Sequence, residues 1–162
     1  MKKVAIIYSK YTPTIDAIIN HLKDFEVEIF DAYRDMSSFD LIANTNYQGR
    51  IPENHIAVHY SLLPAFRESE PVKQAFLAGT KVTGITFYYT NPEKIITQYP
   101  IFISNFSHYD DIERELEYLE QTIYPLILEK ILNNEPFEIR QLLSKGCSGN
   151  CGGCNSCKHW TY

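Results

Sequence analysis

The four cysteines of this 162-residue chain all lie within its last sixteen residues. They are Cys147, Cys151, Cys154 and Cys157, in the pattern C-x3-C-x2-C-x2-C. The other 146 residues contain no cysteine, so neither a disulfide nor a thiolate-bound metal can hold that part of the chain together. We therefore expect a body that depends on a hydrophobic core, followed by a short metal-binding tail.

The tail has the composition of a loop that wraps a metal ion or cluster. Four glycines beside or between the thiols allow tight backbone turns, and they are Gly146, Gly149, Gly152 and Gly153. All four cysteines belong to one short loop, whereas structural zinc sites usually combine two separated C-x2-C pairs. The spacing favours a [4Fe–4S] cluster, with zinc as the alternative and His159 as a reserve ligand. The competing interpretation is an unstructured, redox-sensitive tail or adventitious zinc capture.

Composition and charge exclude several classes of protein. The formal net charge of −5 leaves no basic surface of the kind that binds nucleic acid. The apolar run at residues 4–7 is too short for a signal peptide or a membrane span, so we expect a cytoplasmic protein with no membrane partner. In that reducing compartment, clustered cysteines are metal ligands more often than disulfides. The expected partners are a small-molecule ligand and, through the tail, another protein.

Strand-like and helix-like segments alternate along residues 1–135, which we expect to form one domain, with residues 136–162 as the tail. Apolar runs predict strands at residues 4–8, 27–30, 40–43, 56–59, 82–89 and 94–103. Helical patterns begin at Pro13 and Pro71, and a third follows a capping box at Ser107 and Asp110. Pro125 is expected to kink this last helix. The alternation predicts an α/β fold whose mainly parallel sheet is covered on both faces.

Several motifs connect this pattern to a known family. Residues 59–67 read H-Y-S-L-L-P-A-F-R, residues 83–86 read T-G-I-T and residues 95–98 read I-I-T-Q. With Pro71, Ala75, Gly79 and the pair Tyr124-Pro125, these segments resemble the signature of the formyltransferase family. That family includes glycinamide ribonucleotide formyltransferase and the N-terminal domain of methionyl-tRNA formyltransferase. The resemblance implies a shortened Rossmann-like formyltransferase fold over roughly residues 1–135.

The resemblance also implies a reaction, in which a substrate amine attacks the formyl group of 10-formyltetrahydrofolate. The family uses an Asn, a His and an Asp, of which the His matches His59. Ala57 stands at the Asn position and Asn91 at the Asp position, so His59 and Asn91 are the candidate catalytic residues. Asn91 can hold a hydrogen bond but cannot accept a proton. A folate-like ligand would contact the turn at Leu63 and Pro64. It would also contact Tyr88 and Tyr89.

Three functions remain compatible with these residues. The first is a divergent one-carbon or acyl transferase that uses His59. The second is a non-catalytic member of the fold whose cleft binds a ligand or partner. The third is a redox accessory protein that carries a metal centre in its tail. The loop at residues 9–14, S-K-Y-T-P-T, lacks the glycines with which relatives approach a phosphate, which argues against glycinamide ribonucleotide as the substrate.

Overall fold

The computed structural model describes residues 1–135, so the predicted tail lies outside the described residues. The described part contains six strands and three helices at the predicted places. The strands are β1 (Lys3–Ile7), β2 (Glu26–Phe30), β3 (Leu41–Asn44), β4 (Ile56–His59), β5 (Val82–Thr90) and β6 (Glu93–Phe102). The helices are α1 (Pro13–His21), α2 (Pro71–Leu77) and α3 (Tyr109–Leu132), and a short 3-10 turn precedes α3.

The six strands form one sheet in the order β2-β1-β3-β4-β5-β6. The pairings among β2, β1, β3 and β4 are parallel, whereas β4–β5 and β5–β6 are antiparallel. The strand order reverses next to β1, because β2 lies on one side of it and β3 on the other. Ligands of open α/β sheets bind at the carboxyl ends of the strands beside such a reversal. Because three of the five strand pairings are parallel, the predicted mainly parallel sheet is confirmed.

The two faces of the sheet are covered differently. On one face, α1, α2 and α3 pack over Val4 and Ile6 to form the larger hydrophobic cluster. On the other face, Ala5 and Ile7 pack against Met36 and other residues of the segments that connect the strands. Helices therefore cover only one face among residues 1–135. Connecting segments take their place on the second face, since ten residues join β2 to β3 and eleven join β3 to β4, fewer than the dozen or more of a usual helical crossover.

Helix α3 holds the sheet through its apolar stripe and through one buried tyrosine. The Tyr124 hydroxyl donates to the main-chain oxygen of Ile56 at 2.9 Å, which fixes the helix to β4. The helix begins one residue later than the predicted capping box, because His108 is the N-cap and its ring accepts from the Asp110 amide. Pro125 lies inside the helix, which continues past it to Leu132.

Candidate functional site

A cavity of about 480 Å³ opens at the carboxyl edge of the parallel strands. Its walls come from the loops that follow β1 and β3, from the end of β4 and from one side of α3. This is the edge at which the strand order reverses, and the volume lies within the range of small-molecule sites. We therefore take it as the candidate binding site.

His59 is the last residue of β4 and lines this cavity, as the sequence predicts. Its Nε2 lies 2.8 Å from the main-chain oxygen of Phe66. A carbonyl oxygen only accepts, so Nε2 carries the hydrogen and donates it. Nδ1 is then the ring atom left for proton exchange with a ligand.

The loop that follows β4 is held against β5 and β6 by two side chains of the sequence motifs. The Thr86 hydroxyl donates to the Ser61 oxygen at 2.6 Å and accepts from the Leu63 amide at 3.1 Å. The Gln98 amide donates to the Leu63 oxygen and to the Thr86 hydroxyl, both at 3.0 Å. We name Ser61, Leu63, Thr86 and Gln98 the loop clamp. It explains why a threonine and a glutamine recur in motifs that are distant in sequence from His59.

Gly84 and Arg67 complete the attachment of this loop. A Cβ at Gly84 would lie 2.2 Å from the Tyr99 oxygen and 2.7 Å from a methyl of Leu62, so only glycine fits under the loop. Arg67 makes a bidentate ion pair with Glu93, with N–O distances of 2.7 and 2.9 Å. Arg67 is thus an anchor between the loop and the β5–β6 hairpin.

Asn91 does not lie beside His59, and the expectation that the two residues share a site is wrong. In the antiparallel pairing of β4 and β5, His59 lies opposite Thr86 and Ile56 lies opposite Tyr89. Asn91 follows Thr86 by five residues, or roughly 16 Å along an extended strand. Asn91 therefore lies near the amino end of β4, where its main-chain amide donates a hydrogen bond to the Asn54 side-chain oxygen at 2.9 Å.

The predicted ligand contacts are also divided by the structure. Tyr88 pairs with Ala57 and shares its face of the sheet with His59, whereas Tyr89 points to the opposite face and packs on the helix side. Burial raises the pKa of the Tyr88 hydroxyl above its usual value, and the nearby Glu93 adds to this. The Leu63 side chain is buried in the loop clamp, while Pro64 is exposed. Of the two tyrosines, Tyr88 alone lies on the His59 face.

Asn46 fills the loop after β1, and sequence reasoning missed it. Its side-chain oxygen accepts from the Ser9 amide at 2.8 Å and from the Lys10 amide at 2.9 Å. Its side-chain nitrogen donates to the Lys10 oxygen at 2.7 Å. The main-chain amides of Ser9 and Lys10 are therefore already used within the protein.

Glu120 is a second residue that the sequence analysis missed. It projects from α3, is 5% exposed, lines the cavity, and one of its oxygens accepts a hydrogen bond from the Tyr60 hydroxyl. Burial raises the pKa of Glu120 to about 7, although the Tyr60 hydrogen bond opposes the shift. A signal existed, because Glu120 lies four residues after Leu116 and four before Tyr124 in the apolar stripe of α3.

We expect Glu120→Gln to remove a pH dependence of stability. Between about pH 4.5 and about pH 7 the Glu120 carboxyl holds its proton in the folded state but loses it in the unfolded state. The free energy of unfolding therefore falls as pH rises through this range. Gln stays neutral at every pH. The free energy of unfolding of the variant, minus that of the native chain, should therefore be about 2–4 kcal/mol larger at pH 8 than at pH 4. Urea unfolding at both pH values measures this. Glu115→Gln, on the exposed side of α3, is the matched control.

An equal response of the two variants to pH would contradict this account of Glu120.

The described residues offer no substitute for the metal ligands predicted in the tail. Within residues 1–135, no three His, Cys, Asp or Glu side chains are grouped so that they could hold a metal ion. The predicted ligands lie outside the described residues, and they are Cys147, Cys151, Cys154 and Cys157. Over the part of the chain that the structure covers, no helix combines the length and apolar character that crossing a membrane requires.

Comparison with known proteins decides the family. The family model described as formyl transferase matches residues 36–128, which is more than half of the chain and includes β3 to β6 and most of α3. The chain belongs to the formyl transferase family. The loop clamp and Tyr124 lie within the matched residues.

Two curated relatives, a formyltransferase and a deformylase, show which named proteins the chain resembles. Phosphoribosylglycinamide formyltransferase of Bacillus subtilis is 37% identical over 122 residues, which cover 72% of this chain and 60% of that protein. Formyltetrahydrofolate deformylase of Haemophilus influenzae is 32% identical over 75 residues, or 46% of this chain and 26% of that protein. The chain thus matches less than two thirds of the length of either relative.

Solved formyl transferase structures share the fold. Phosphoribosylglycinamide formyltransferase of Bacillus halodurans superposes with a TM-score of 0.67 at 22% identity, over 85% of this chain and 100% of that chain. The enzyme of the same name from Anaplasma phagocytophilum gives a TM-score of 0.69 at 17% identity, over 82% and 88% of the two chains. The predicted formyltransferase fold is confirmed by this likeness.

Proposed function

We propose that the chain transfers a formyl or related acyl group from a folate-like donor such as 10-formyltetrahydrofolate. The observation that carries this proposal is the position of His59, at the carboxyl end of β4 and on the wall of the 480 Å³ cavity. The loop clamp holds the segment after His59 by four hydrogen bonds, so the histidine is presented by a rigid frame.

The reaction needs one group that moves a proton. A neutral acceptor adds to the formyl carbon, and the bond from that carbon to the donor nitrogen then breaks. The acceptor loses one proton and the donor nitrogen gains one, so a single residue can carry out both transfers. Nδ1 of His59 suits this role because Nε2 is committed to Phe66.

The family's other two catalytic positions supply less help here. Ala57 offers no donor for the developing oxyanion, and a missing donor of this type typically costs about 10²–10³ in rate. Asn91 lies near the opposite end of β4. We therefore expect a slower reaction than that of relatives with the complete set.

The relatives suggest two acceptors for the formyl group. A formyltransferase passes it to an amine, whereas the name of the deformylase relative describes its removal from formyltetrahydrofolate. We propose an amine because two carboxylates, Glu117 and Glu120, line the cavity and can accept its hydrogen bonds. Incubation of the full chain with 10-formyltetrahydrofolate and a small polar amine tests the proposal, since donor loss above the uncatalysed rate is expected. Donor that binds but persists would instead favour a non-catalytic ligand-binding member of the fold.

We also propose that the tail holds one metal centre, favouring a [4Fe–4S] cluster over zinc and leaving a redox accessory role as the alternative function. The support is the spacing of the four cysteines and the four glycines around them. Such a centre would be kept in a reducing, cytoplasmic setting, where free thiols persist.

Each single Cys→Ser change in the tail should remove most of the bound metal, because all four thiolates converge on one centre. The test is metal and sulfide content after anaerobic purification. The variants are Cys147→Ser, Cys151→Ser, Cys154→Ser and Cys157→Ser, with Ser156→Ala as the control. Iron together with sulfide would identify an iron–sulfur cluster. Zinc alone would identify a zinc site. Full metal content in all four variants would show that the cysteines are not ligands.

A further inference from the structure

We propose that residues 137–143, which lead from α3 towards the cysteines, dock into a second cavity at the amino edge of the sheet, with Arg140 bound to Glu53. This inference does not depend on the proposed transfer reaction, because it concerns the edge of the sheet opposite His59. It assigns an anchor for the tail and the residue pair that holds it.

The second cavity has a volume of about 260 Å³ and lies beside the first residues of β3 and the last turn of α3. Tyr89, which lines it, pairs with Ile56 at the start of β4, so this is the amino edge of the parallel strands. No residue that lines the first cavity also lines this one. Apolar side chains form most of its wall, and they are Met36, Phe39, Leu41, Ile42, Tyr89 and Ile131.

Glu53 adds one carboxylate to this apolar wall, and the two oxygens of that carboxylate differ. Oε1 accepts from the Tyr33 hydroxyl at 3.0 Å and from the Met36 amide at 3.1 Å. Oε2 is buried, although the residue as a whole is partly exposed, and it accepts no hydrogen bond from residues 1–135. A buried carboxylate oxygen is costly without a donor, and a charged donor offsets this cost best.

The Glu53 carboxyl is ionised at neutral pH. Burial raises its pKa, but the hydrogen bonds that it accepts outweigh burial and hold the pKa below its usual value. Asp40 is the other charged residue that lines the cavity, and no lysine or arginine of residues 1–135 does so. The cavity therefore suits a segment that combines apolar side chains with one cation.

Residues 137–143 have this combination, because they read F-E-I-R-Q-L-L. Four of these side chains are apolar, and Arg140 is the one cation among them. A guanidinium can donate two parallel hydrogen bonds to a carboxylate, and it loses its water more readily than an ammonium does. Arg140 is thus the donor that the buried oxygen of Glu53 requires.

The end of α3 brings this segment to the cavity. The chain turns back after the helix, where Asn134 has a φ of 55° and the Glu135 amide donates to the Lys130 oxygen at 2.8 Å. The next residues therefore start beside the last turn of α3, whose Ile131 lines the cavity.

The covalent connection favours this segment over a second copy or a separate partner. Arg140 follows Glu135 by five residues, an extended reach of about 17 Å. A segment tethered this close has a high effective concentration at the cavity. With Arg140 at Glu53, the tail leaves the sheet at the edge opposite His59, away from the proposed transfer site.

Hydrogen exchange of the full chain, followed by NMR, tests the docking residue by residue. The amides of residues 137–143 should exchange more than tenfold more slowly than those of an unstructured chain of the same sequence. Arg140→Gln should speed this exchange about tenfold or more, as expected for the loss of a charge-assisted hydrogen bond. Lys145→Gln, which changes the next cation of the tail, is the matched control and should leave the exchange unchanged.

The partner residue is tested in the same way. Glu53→Gln should speed the exchange of residues 137–143 by a similar factor, because Gln can still accept from Tyr33 and Met36 but carries no charge. Glu28→Gln, on the exposed side of β2, is the control. Since the two changes act on one ion pair, the double variant Glu53→Gln/Arg140→Gln should exchange no faster than either single variant.

Exchange of residues 137–143 at the rate of an unstructured chain would overturn the inference, as would equal effects of Arg140→Gln and Lys145→Gln. Protection that grows with protein concentration would point to the tail of a second copy and would also overturn it. Protection that is lost in Arg140→Gln but kept in Glu53→Gln would contradict the assigned contact. None of these outcomes involves consumption of the formyl donor, so this inference and the proposed function can fail separately.

Discussion

Thr86→Val should lower the free energy of unfolding by about 3–5 kcal/mol, because a buried partner that is left without its hydrogen bond costs about 1–3 kcal/mol and three such bonds meet at this hydroxyl. Thr86 donates to the Ser61 oxygen and accepts from the Leu63 and Gln98 nitrogens. The side chain is fully buried, so water cannot replace the lost partners. The two residues have nearly the same shape, so the loss is one of hydrogen bonding rather than of packing.

Thr83→Val is the matched control on the same strand. Thr83 is 2% exposed, and its hydroxyl has no hydrogen-bond partner among residues 1–135. Its replacement should leave stability unchanged or raise it by up to about 1 kcal/mol, since an unpaired polar atom is removed from the core. Urea unfolding followed by circular dichroism measures both variants. Similar costs at the two positions would mean that the loop clamp contributes little to holding the segment after β4.

His59→Gln should reduce turnover of the formyl donor by about 10²–10⁴, the usual contribution of a positioned acid–base group. The Gln amide can still donate to the Phe66 oxygen, but it cannot accept and return a proton. The loss should therefore appear in kcat, with a smaller change in KM. Steady-state rates of donor consumption, with unfolding curves to verify the fold, provide the measurement.

His21→Gln is the control for this second prediction. His21 lies in the last turn of α1 and pairs with Glu129 on the surface of the helical layer. The His21→Gln variant should consume the formyl donor at the native rate. Activity that survives in His59→Gln at the native rate would show that another group moves the proton, and His59 would then be only a structural remnant of the family.

The fold is predictable from this sequence because its local signals agree with one another. Residues 71–77 begin at a proline and end before Gly79, whose φ of 70° stops the helix, and α2 has these bounds. The apolar run at residues 56–59 likewise ends at His59. Such boundaries depend on neighbours in sequence, so they can be predicted without knowledge of the whole structure.

The site is less predictable because its decisive contacts are distant in sequence. Asn46 closes the loop at Ser9 and Lys10 from 37 and 36 residues away, respectively, and nothing in its local sequence marks it for that role. The position of Asn91 depends on the antiparallel register of β4 and β5, which its place in the family motif does not reveal. Glu120, by contrast, interrupts an apolar stripe, and that alone could have identified it.

The most direct measurement of the central claim follows the formyl carbon itself. The full chain is mixed with 10-formyltetrahydrofolate labelled with ¹³C in the formyl group and with a small polar amine such as ethanolamine, and NMR records where the label goes. We expect the label to leave the donor faster than in the control without protein and to appear as an N-formyl amine, with little transfer in His59→Gln. Label that appears only as formate would indicate hydrolysis, and label that stays on the donor at the uncatalysed rate would contradict a catalytic role for this chain.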